Sequence, residues 1–363
     1  MLSLKPQNLK FDKTLLFLVF GLTLFGILII FDASSVMAME NFGDRFHFAR
    51  LQLYWAVLGI LILFLTMNLE YNFWRKFSFP IFLAGLFSLI LVLVPHIGIK
   101  ALGGRRWISF KEFTFQPAEL AKISSLIYFS SFLEKKKSFF HFIFLMAILS
   151  FLLMAEPDLG TTVVLVLSSF IIYFLAGASF SEIFVFGLLG LVGGIIFILI
   201  SPYRLSRVKV FLNPNLDPQG ASYHLRQALL ALGSGGLLGR GIGQSRQKFL
   251  FLPEAATDSI FAIIGEEMGF IGGLGILSAF LFFLFRGLKI ANQAKDRFGQ
   301  ILAGGITSQI FIQAFLNLSS MVSLLPLTGV PLPFISYGGS SLIVSLAEIG
   351  ILLNISKHKL KKE

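Results

Sequence analysis

Apolar residues along this chain gather in long unbroken runs, such as Leu15 to Phe31 and Phe184 to Ile200, separated by short polar or Gly/Pro-containing breaks. The runs do not alternate with polar positions, so they read as helices and not as strands of a membrane barrel. Runs and breakers together predict ten helices, near 14–31, 51–67, 77–95, 117–133, 139–155, 161–177, 183–200, 259–285, 300–325 and 338–354. A spanning helix needs ~20 mostly apolar residues. The expected fold is therefore an all-α polytopic membrane protein of about ten transmembrane helices, one domain over 1–363. A large extracytoplasmic loop, about 201–258, is expected between helices 7 and 8.

Composition removes the soluble alternative. Of 363 residues, 56% are hydrophobic and 13% charged, against ~25% charged in ordinary soluble domains. Without Cys there is no disulfide, Fe–S cluster or thiol nucleophile, and the five His show no metal-ligand spacing. The net charge of +11 would suggest nucleic acid in a soluble chain; here it points first to cytoplasmic loops. With the N-terminus inside, Lys5, Lys10, Lys13, Arg75, Lys76, Lys135 to Lys137, Arg286, Lys289, Lys295, Arg297, Lys357, Lys359, Lys361 and Lys362 all fall inside, and so does the C-terminus. The first apolar run could pass for a signal peptide, with Val36-Met37-Ala38 as a weak cleavage site, but a polytopic chain can keep its first helix as an anchor. Eleven basic residues nevertheless sit in two outer loops, about 96–116 and 201–258. An anionic partner outside would offset their placement; a long loop that crosses regardless of charge is the plainer reading.

Candidate chemistry lies in those loops and at their edges. Gly103-Gly-Arg105-Arg106-Trp107 precedes Phe115-Gln-Pro-Ala-Glu119-Leu-Ala-Lys122. Arg105, Arg106 and Lys122 together suit a diphosphate, the Arg as forks and the Lys as a point charge. Glu119 and Lys122 can equally pair with each other at i, i+3, and Trp107 can be an interfacial belt residue. In Glu156-Pro157-Asp158-Leu-Gly160, Pro157 and Gly160 account for a turn by themselves; the two acids are also candidates to face a ligand or cation. The Gly-rich stretch Gly233 to Gly243 lacks the strand and Lys-Ser/Thr of a phosphate-binding loop, which leaves a flexible lid or a re-entrant hairpin. Thr257 or Asp258 is placed to cap the next helix, while an ionised Asp258 at a cavity mouth can act as a general base. Glu266 and Glu267 lie ~12 Å deeper, turned away from each other on the helix, so the pair is not expected to share one site. Interior pairing is the default for both. Ser336, with no His or Lys near it in sequence, does not read as a hydrolase nucleophile.

These motifs resemble those of the SEDS family (shape, elongation, division and sporulation). The resemblance rests on Arg105-Arg106-Trp107, Phe115-Gln-Pro-x-Glu-x-Ala-Lys122, Pro157-Asp-Leu-Gly-Thr161, Leu252-Pro-Glu254-x-x-Thr-Asp258 followed by Gly265-Glu-Glu-x-Gly269, and Pro331-Leu-Pro-Phe-Ile-Ser-Tyr-Gly-Gly-Ser-Ser341. The double Arg, the Leu-Pro-Glu-Ala stretch and the Leu-Leu-Asn-Ile-Ser356 ending look more like the division member than the elongation member. The resemblance implies a peptidoglycan glycosyltransferase that polymerises lipid II into glycan strands for septal wall synthesis, in the bacterial cytoplasmic membrane with both termini inside. It implies as partners lipid II, the nascent glycan strand, a class B penicillin-binding transpeptidase and other divisome membrane proteins, and no nucleic acid. The Asp matching Asp258 is the family's catalytic residue, and positions matching Trp107, Lys122 and Asp158 matter for function. Arg105, Arg106, Lys122, Arg204 and Arg207 would hold the diphosphate, with Glu254 beside the substrate, and a divalent cation (Mg or Mn) could share the task. The chain departs from the family at Ala256 and Ser259, where His and Phe are usual, at Ala118 for Ser, and at His224 for Gln. An elongation polymerase of the same chemistry, a lipid II flippase and a non-catalytic scaffold for the transpeptidase are the alternative readings.

Overall fold

The structure is a computed structural model that describes residues 10–101, 104–110, 113–135, 138–213, 220, 222–249 and 251–358. Lys5, Gly103, Lys136, Lys137, Lys359, Lys361 and Lys362 of the sequence analysis lie outside these. Each predicted apolar run overlaps a helix, with ends that differ by up to four residues where the run overshoots it: α1 (Lys13–Phe42), α2 (His47–Asn68), α4 (Ser78–Leu93), α5 (Pro117–Lys135), α6 (Phe139–Ala155), α7 (Leu159–Leu175), α8 (Phe180–Ile200), α11 (Ile260–Gln293), α12 (Arg297–Met321) and α13 (Gly339–Lys357). Six of these, α1, α2, α8, α11, α12 and α13, are long and apolar enough to cross a membrane. Helix α1 runs unbroken through Val36 to Ala38.

Burial follows hydropathy inversely, as expected where the surrounding solvent is lipid. The most apolar helix, α8, is almost wholly exposed, whereas α12 and α13, the least apolar of the six, are mostly buried. Helix α5, the least apolar run in the sequence, is central: Glu119, Lys122, Ser124, Ser125 and Ser130 are all buried. Lys122 reaches Gln313 on α12 as well as Glu119 on its own helix, while Ser124 and Ser125 donate to the Ala121 and Lys122 carbonyls of α5 itself, so these groups are satisfied inside the protein, where lipid could not serve them.

Two regions differ from the expected all-α chain with long loops. Residues within 96–116 form a three-stranded antiparallel sheet, β1 (Gly98–Ala101), β2 (Gly104–Phe110) and β3 (Phe113–Phe115) in the order β1-β2-β3. Ile99 pairs with Trp107 and Ile108 with Phe115. The hairpins let an extended segment satisfy its own backbone at the end of the bundle. The 201–258 segment is also not a plain loop, because it contains α9 (Pro202–Leu212) and α10 (Tyr223–Gly235). Leu225, Ala228 and Ala231 form a buried stripe at helical spacing on α10, against α11. A further one-and-a-half-turn helix, α3 (Tyr71–Lys76), joins α2 to α4.

The glycine-rich stretch is neither a free lid nor a phosphate cradle: it mends a break in α11. That helix is interrupted at Gly269, with φ 65° and ψ −162°. The carbonyls of Glu266 and Glu267, which lose their helical donors there, accept from Arg240 N and Gly241 N at 3.0 Å each. In return Phe270 N and Ile271 N donate to the carbonyls of Gly236 and Leu237. Such close backbone contact requires glycine at Gly239, where φ is 80° and an added Cβ would stand 2.1 Å from the Glu267 carbonyl oxygen. Gly239→Ala should therefore lower the melting temperature of the purified protein by several degrees. Gly233→Ala, which meets nothing within 4 Å in α10, should leave it level or slightly higher. Equal melting of the two variants would contradict this account of the loop.

Candidate active site

One end of the bundle gathers the sheet, the 156–158 turn, α9, the 251–259 segment and the connection from α12 to α13. Asp258 lies among them, half-buried. The N-cap of α11 is Ser259 and not Thr257 or Asp258, and Ser259 makes no side-chain capping bond. Asp258 is thus relieved of capping, and among the described residues its carboxylate makes no hydrogen bond. Thr257 Oγ1 is occupied with Glu254 Oε2 at 2.7 Å. Glu254 itself is exposed, with φ 51°, and its carbonyl accepts from the amides of Thr257 and Ser259.

The backbone around Asp258 is held from several sides. Asn317 Nδ2, on α12, donates to the carbonyls of Asp258 at 2.8 Å and Val330 at 2.9 Å. Ser336 Oγ donates to Thr257 O at 2.6 Å, and Tyr337 N to Ala256 O at 2.8 Å. The Pro-rich 326–337 connection is thereby stitched to the segment that carries the acid. At Gly329, φ 73°, a Cβ would stand 3.4 Å from Asp258 Oδ2 and 3.7 Å from Arg207 Nη1, so the missing side chain keeps both groups accessible to the same small volume. Burial, and after it the charge of Glu254, raise the Asp258 pKa to about 7 against the opposing pull of Arg207; Asp158 adds to the rise and Arg106 resists it.

The arginines of the rim hold helix ends. Arg106 donates through Nε to Glu156 O at 3.0 Å and through Nη2 to Pro157 O. Arg204 donates to Phe197 O at 3.1 Å and Met154 O at 3.3 Å, Arg105 to Leu93 O at 3.5 Å, and Arg207 to Leu327 O at 2.8 Å. Three of the four thus cover carbonyls at the C-terminal ends of α4, α6 and α8, where guanidinium groups are favoured by the helix dipole. This accounts for part of the basic charge in the outer loops without an external anion. A guanidinium has five N–H donors, more than these carbonyl contacts use. Arg106 and Arg204 lie close enough that Arg106, after burial, lowers the Arg204 pKa.

The other acids are differently occupied. Asp158 is the N-cap of α7, with Oδ1 accepting from Thr161 N at 3.0 Å, and Oδ2 from Thr161 Oγ1 at 2.9 Å and Gln116 Nε2 at 3.2 Å. Glu156 is fully buried, and neither of its carboxyl oxygens has a partner among the described residues. Burial and then Asp158 push its pKa up to about 9, so it is neutral at pH 7. Trp107 is half-buried on β2 opposite Ile99.

Lys122 does not join the arginines. Its Nζ is 2.9 Å from Glu119 Oε2 and 2.7 Å from Gln313 Oε1 inside the bundle, so the i, i+3 pairing holds. Gln313 Nε2 in turn donates to Pro331 O at 3.0 Å, which links the ammonium indirectly to the connection beside Asp258. Glu266 and Glu267 do meet at one place, contrary to the expectation from helical angle. Glu266 Oε2 accepts from Ser245 Oγ at 2.6 Å, and Glu267 Oε1 from Ser245 N at 3.0 Å and Lys248 Nζ at 3.4 Å. The 243–248 segment wraps round α11, and long Glu side chains reach it from both flanks.

A sequence profile for the family described as "Cell cycle protein", of FtsW, RodA and SpoVE, matches residues 13–361. The chain belongs to this family. It is 40% identical over 354 residues to a probable peptidoglycan glycosyltransferase FtsW of Geobacter sp. (strain M18), covering 95% of this chain and 96% of that one. To stage V sporulation protein E of Bacillus subtilis (strain 168) it is 42% identical over 357 residues, with 96% and 97% covered. Among solved structures it is similar to a chain described under "Structural coordination of polymerization and crosslinking by a peptidoglycan synthase complex", with a TM-score of 0.80, 27% identity, and 97% and 99% covered. It is also similar to the rod shape determining protein RodA of Thermus thermophilus, with a TM-score of 0.72, 27% identity, and 98% and 100% covered.

In this FtsW/RodA/SpoVE-family chain, Gln313 and Asn317, aligned with Gln309 on one face of α12, support the site and lie outside the sequence-based set. The three recur every four residues on α12; Gln309 Nε2 donates to Glu348 Oε1 at 2.5 Å, and the other two reach the rim. Amides repeated at helical spacing in an apolar run were the available signal. The donor set does not build a metal cage: no three His, Asp or Glu converge among the described residues, and the Asp158 oxygens are engaged by Thr161 and Gln116. An apolar groove of about 480 Å³ between α10, α11 and α12 begins at Phe261, one turn from Asp258, and passes Gly265, Gly273, Phe315 and Leu318.

Because the folded state disfavours the ionised Asp258, the wild type loses stability as pH rises from the ordinary carboxyl value of 3.8 through about 7. Asp258→Asn should melt above the wild type at pH 8, with the gap narrowing as the pH falls to 5. A gap that is absent at pH 8, or does not change with pH, would contradict the raised pKa.

Proposed function

We propose that this chain is a peptidoglycan glycosyltransferase that polymerises lipid II during septal wall synthesis, with Asp258 as its base. The observation that carries the reading is the Asp258 carboxylate: half-buried, free of hydrogen bonds among the described residues, raised to about 7, and close to Arg207. The names of the relatives supply the chemistry, and the apolar groove gives a lipid-linked substrate a wall beside the acid. Helices α1, α2, α4 to α8 and α11 to α13 cross the bacterial cytoplasmic membrane, with both termini inside and the rim outside. A class B penicillin-binding transpeptidase is the partner.

In the reaction Asp258 takes the proton of the acceptor sugar 4-hydroxyl. The oxygen forms a bond to the anomeric carbon of the lipid-linked glycan, whose bond to the diphosphate oxygen breaks with its electron pair leaving on the diphosphate. Attack opposite the leaving group converts an α-linked donor into a β-linked product. Arg106, Arg204 and Arg207 balance the charge that develops on the departing diphosphate, using donors not committed to helix carbonyls. A base near its pKa at neutral pH combines adequate ionisation with adequate basicity.

The test uses the purified protein with its cognate transpeptidase and labelled lipid II. Asp258→Asn should lose on the order of 10²-fold or more of the polymerisation rate. Polymer from Asp258→Asn at the wild-type rate would reject the base, and no polymer from the wild type would favour a carrier or a scaffold. A fluorescent fusion should gather at the septum; lateral placement would favour elongation.

A further inference from the structure

The first turn of α10 meets the Asp258 segment through a side-chain pair that the reaction above leaves unused. His224 Nε2 lies 2.6 Å from Ser259 Oγ, and Ser259 Oγ lies 2.9 Å from Pro253 O. A hydroxyl has one hydrogen and two lone pairs. The Pro253 carbonyl can only accept, so the Ser259 hydrogen is spent there and its oxygen must accept from His224. The imidazole is thereby fixed as the Nε2–H tautomer, with the lone pair on Nδ1. Burial, with Arg207 second, lowers the His224 pKa to about 4, so the ring is neutral wherever Asp258 is ionised.

Ser259 is fully buried, and its amide donates to Glu254 O at 3.1 Å. It therefore closes the 253–259 turn by two routes, amide and hydroxyl, in the residue directly after the acid. Asn317 holds the Asp258 carbonyl from α12, and His224 holds the next residue from α10. Two elements far apart in sequence thus fix the peptide on which the carboxylate stands.

We propose that His224 is a positioning residue for Asp258: its Nε2–H, given to Ser259, fixes the turn that sets the direction of the carboxylate. The inference rests on Asp258 being the base. Geometry supplies the discriminating variants. The amide nitrogen of Gln lies as many bonds from Cα as imidazole Nε2, so Gln can give Ser259 the same donor; Asn is one bond too short.

The experiment measures kcat and KM for lipid II, with melting temperature, for the full chain with its transpeptidase. His224→Ala should lower kcat about tenfold, as small misplacement of a catalytic group does, with KM within about twofold and the acid limb of the pH profile unmoved. His224→Gln should regain at least half of the lost rate and His224→Asn should not, at matched melting temperatures. In a Ser259→Ala background, His224→Ala should add little further loss, because the accepting oxygen is already gone. His224→Gln as slow as His224→Ala, His224→Ala as fast as the wild type, or full additivity with Ser259→Ala would overturn the proposal. An inactive wild type would instead overturn the function; an active wild type with inactive Asp258→Asn and indifferent His224 variants would overturn this inference alone.

Discussion

Everything at the rim depends on one requirement: a polar side chain on a membrane-buried helix must find its partner inside the protein. On α12 that requirement is met by Asn317, whose amide joins the carbonyls of Asp258 and Val330. One buried group thus binds the start of α11 to the connection before α13. With Asp258 held through its backbone, and Ser259 as the N-cap of α11, the carboxylate itself makes no hydrogen bond among the described residues. Asp158, whose oxygens are consumed by Thr161 and Gln116, is the contrasting case: a carboxylate that caps and braces a turn has little left for a ligand.

The same economy explains the arginines. Three of them close the carbonyl ends of helices that would otherwise point bare acceptors at the rim. A basic rim is then partly a structural consequence of where these helices stop. The glycine-rich stretch obeys a related rule: the break at Gly269 frees carbonyls in an apolar setting, and a backbone with almost no side chains is what can approach closely enough to satisfy them.

Much of this was legible in the sequence where information is local. Unbroken apolar runs placed all ten principal helices, and the boundary between a basic loop and an apolar run made Asp258 a candidate, as a helix cap or as a base. What stayed hidden depended on partners distant in sequence. Lys122 could be given to a ligand or to Glu119, and only the approach of Gln313, 191 residues away, joins the decision. The angular argument about Glu266 and Glu267 was sound for the helix and failed because a loop can wrap round it. The sheet of 98–115 and helices α9 and α10 are short, so their patterns gave little weight against the surrounding polar residues. His224 and Ser259 looked independent along the chain and are in contact across the fold.

The central claim is that Asp258 acts as a base whose ionisation is held near neutrality by its surroundings. The most direct measurement is kcat/KM of the wild-type protein, from initial polymerisation rates at lipid II well below KM, from pH 5.5 to 8.5, with enzyme integrity checked at each pH. The account predicts a rate that climbs with unit slope on logarithmic axes and levels off around the Asp258 value of about 7. A rate that is flat across that range, or that falls as the pH rises from 5.5 to 7, would contradict it.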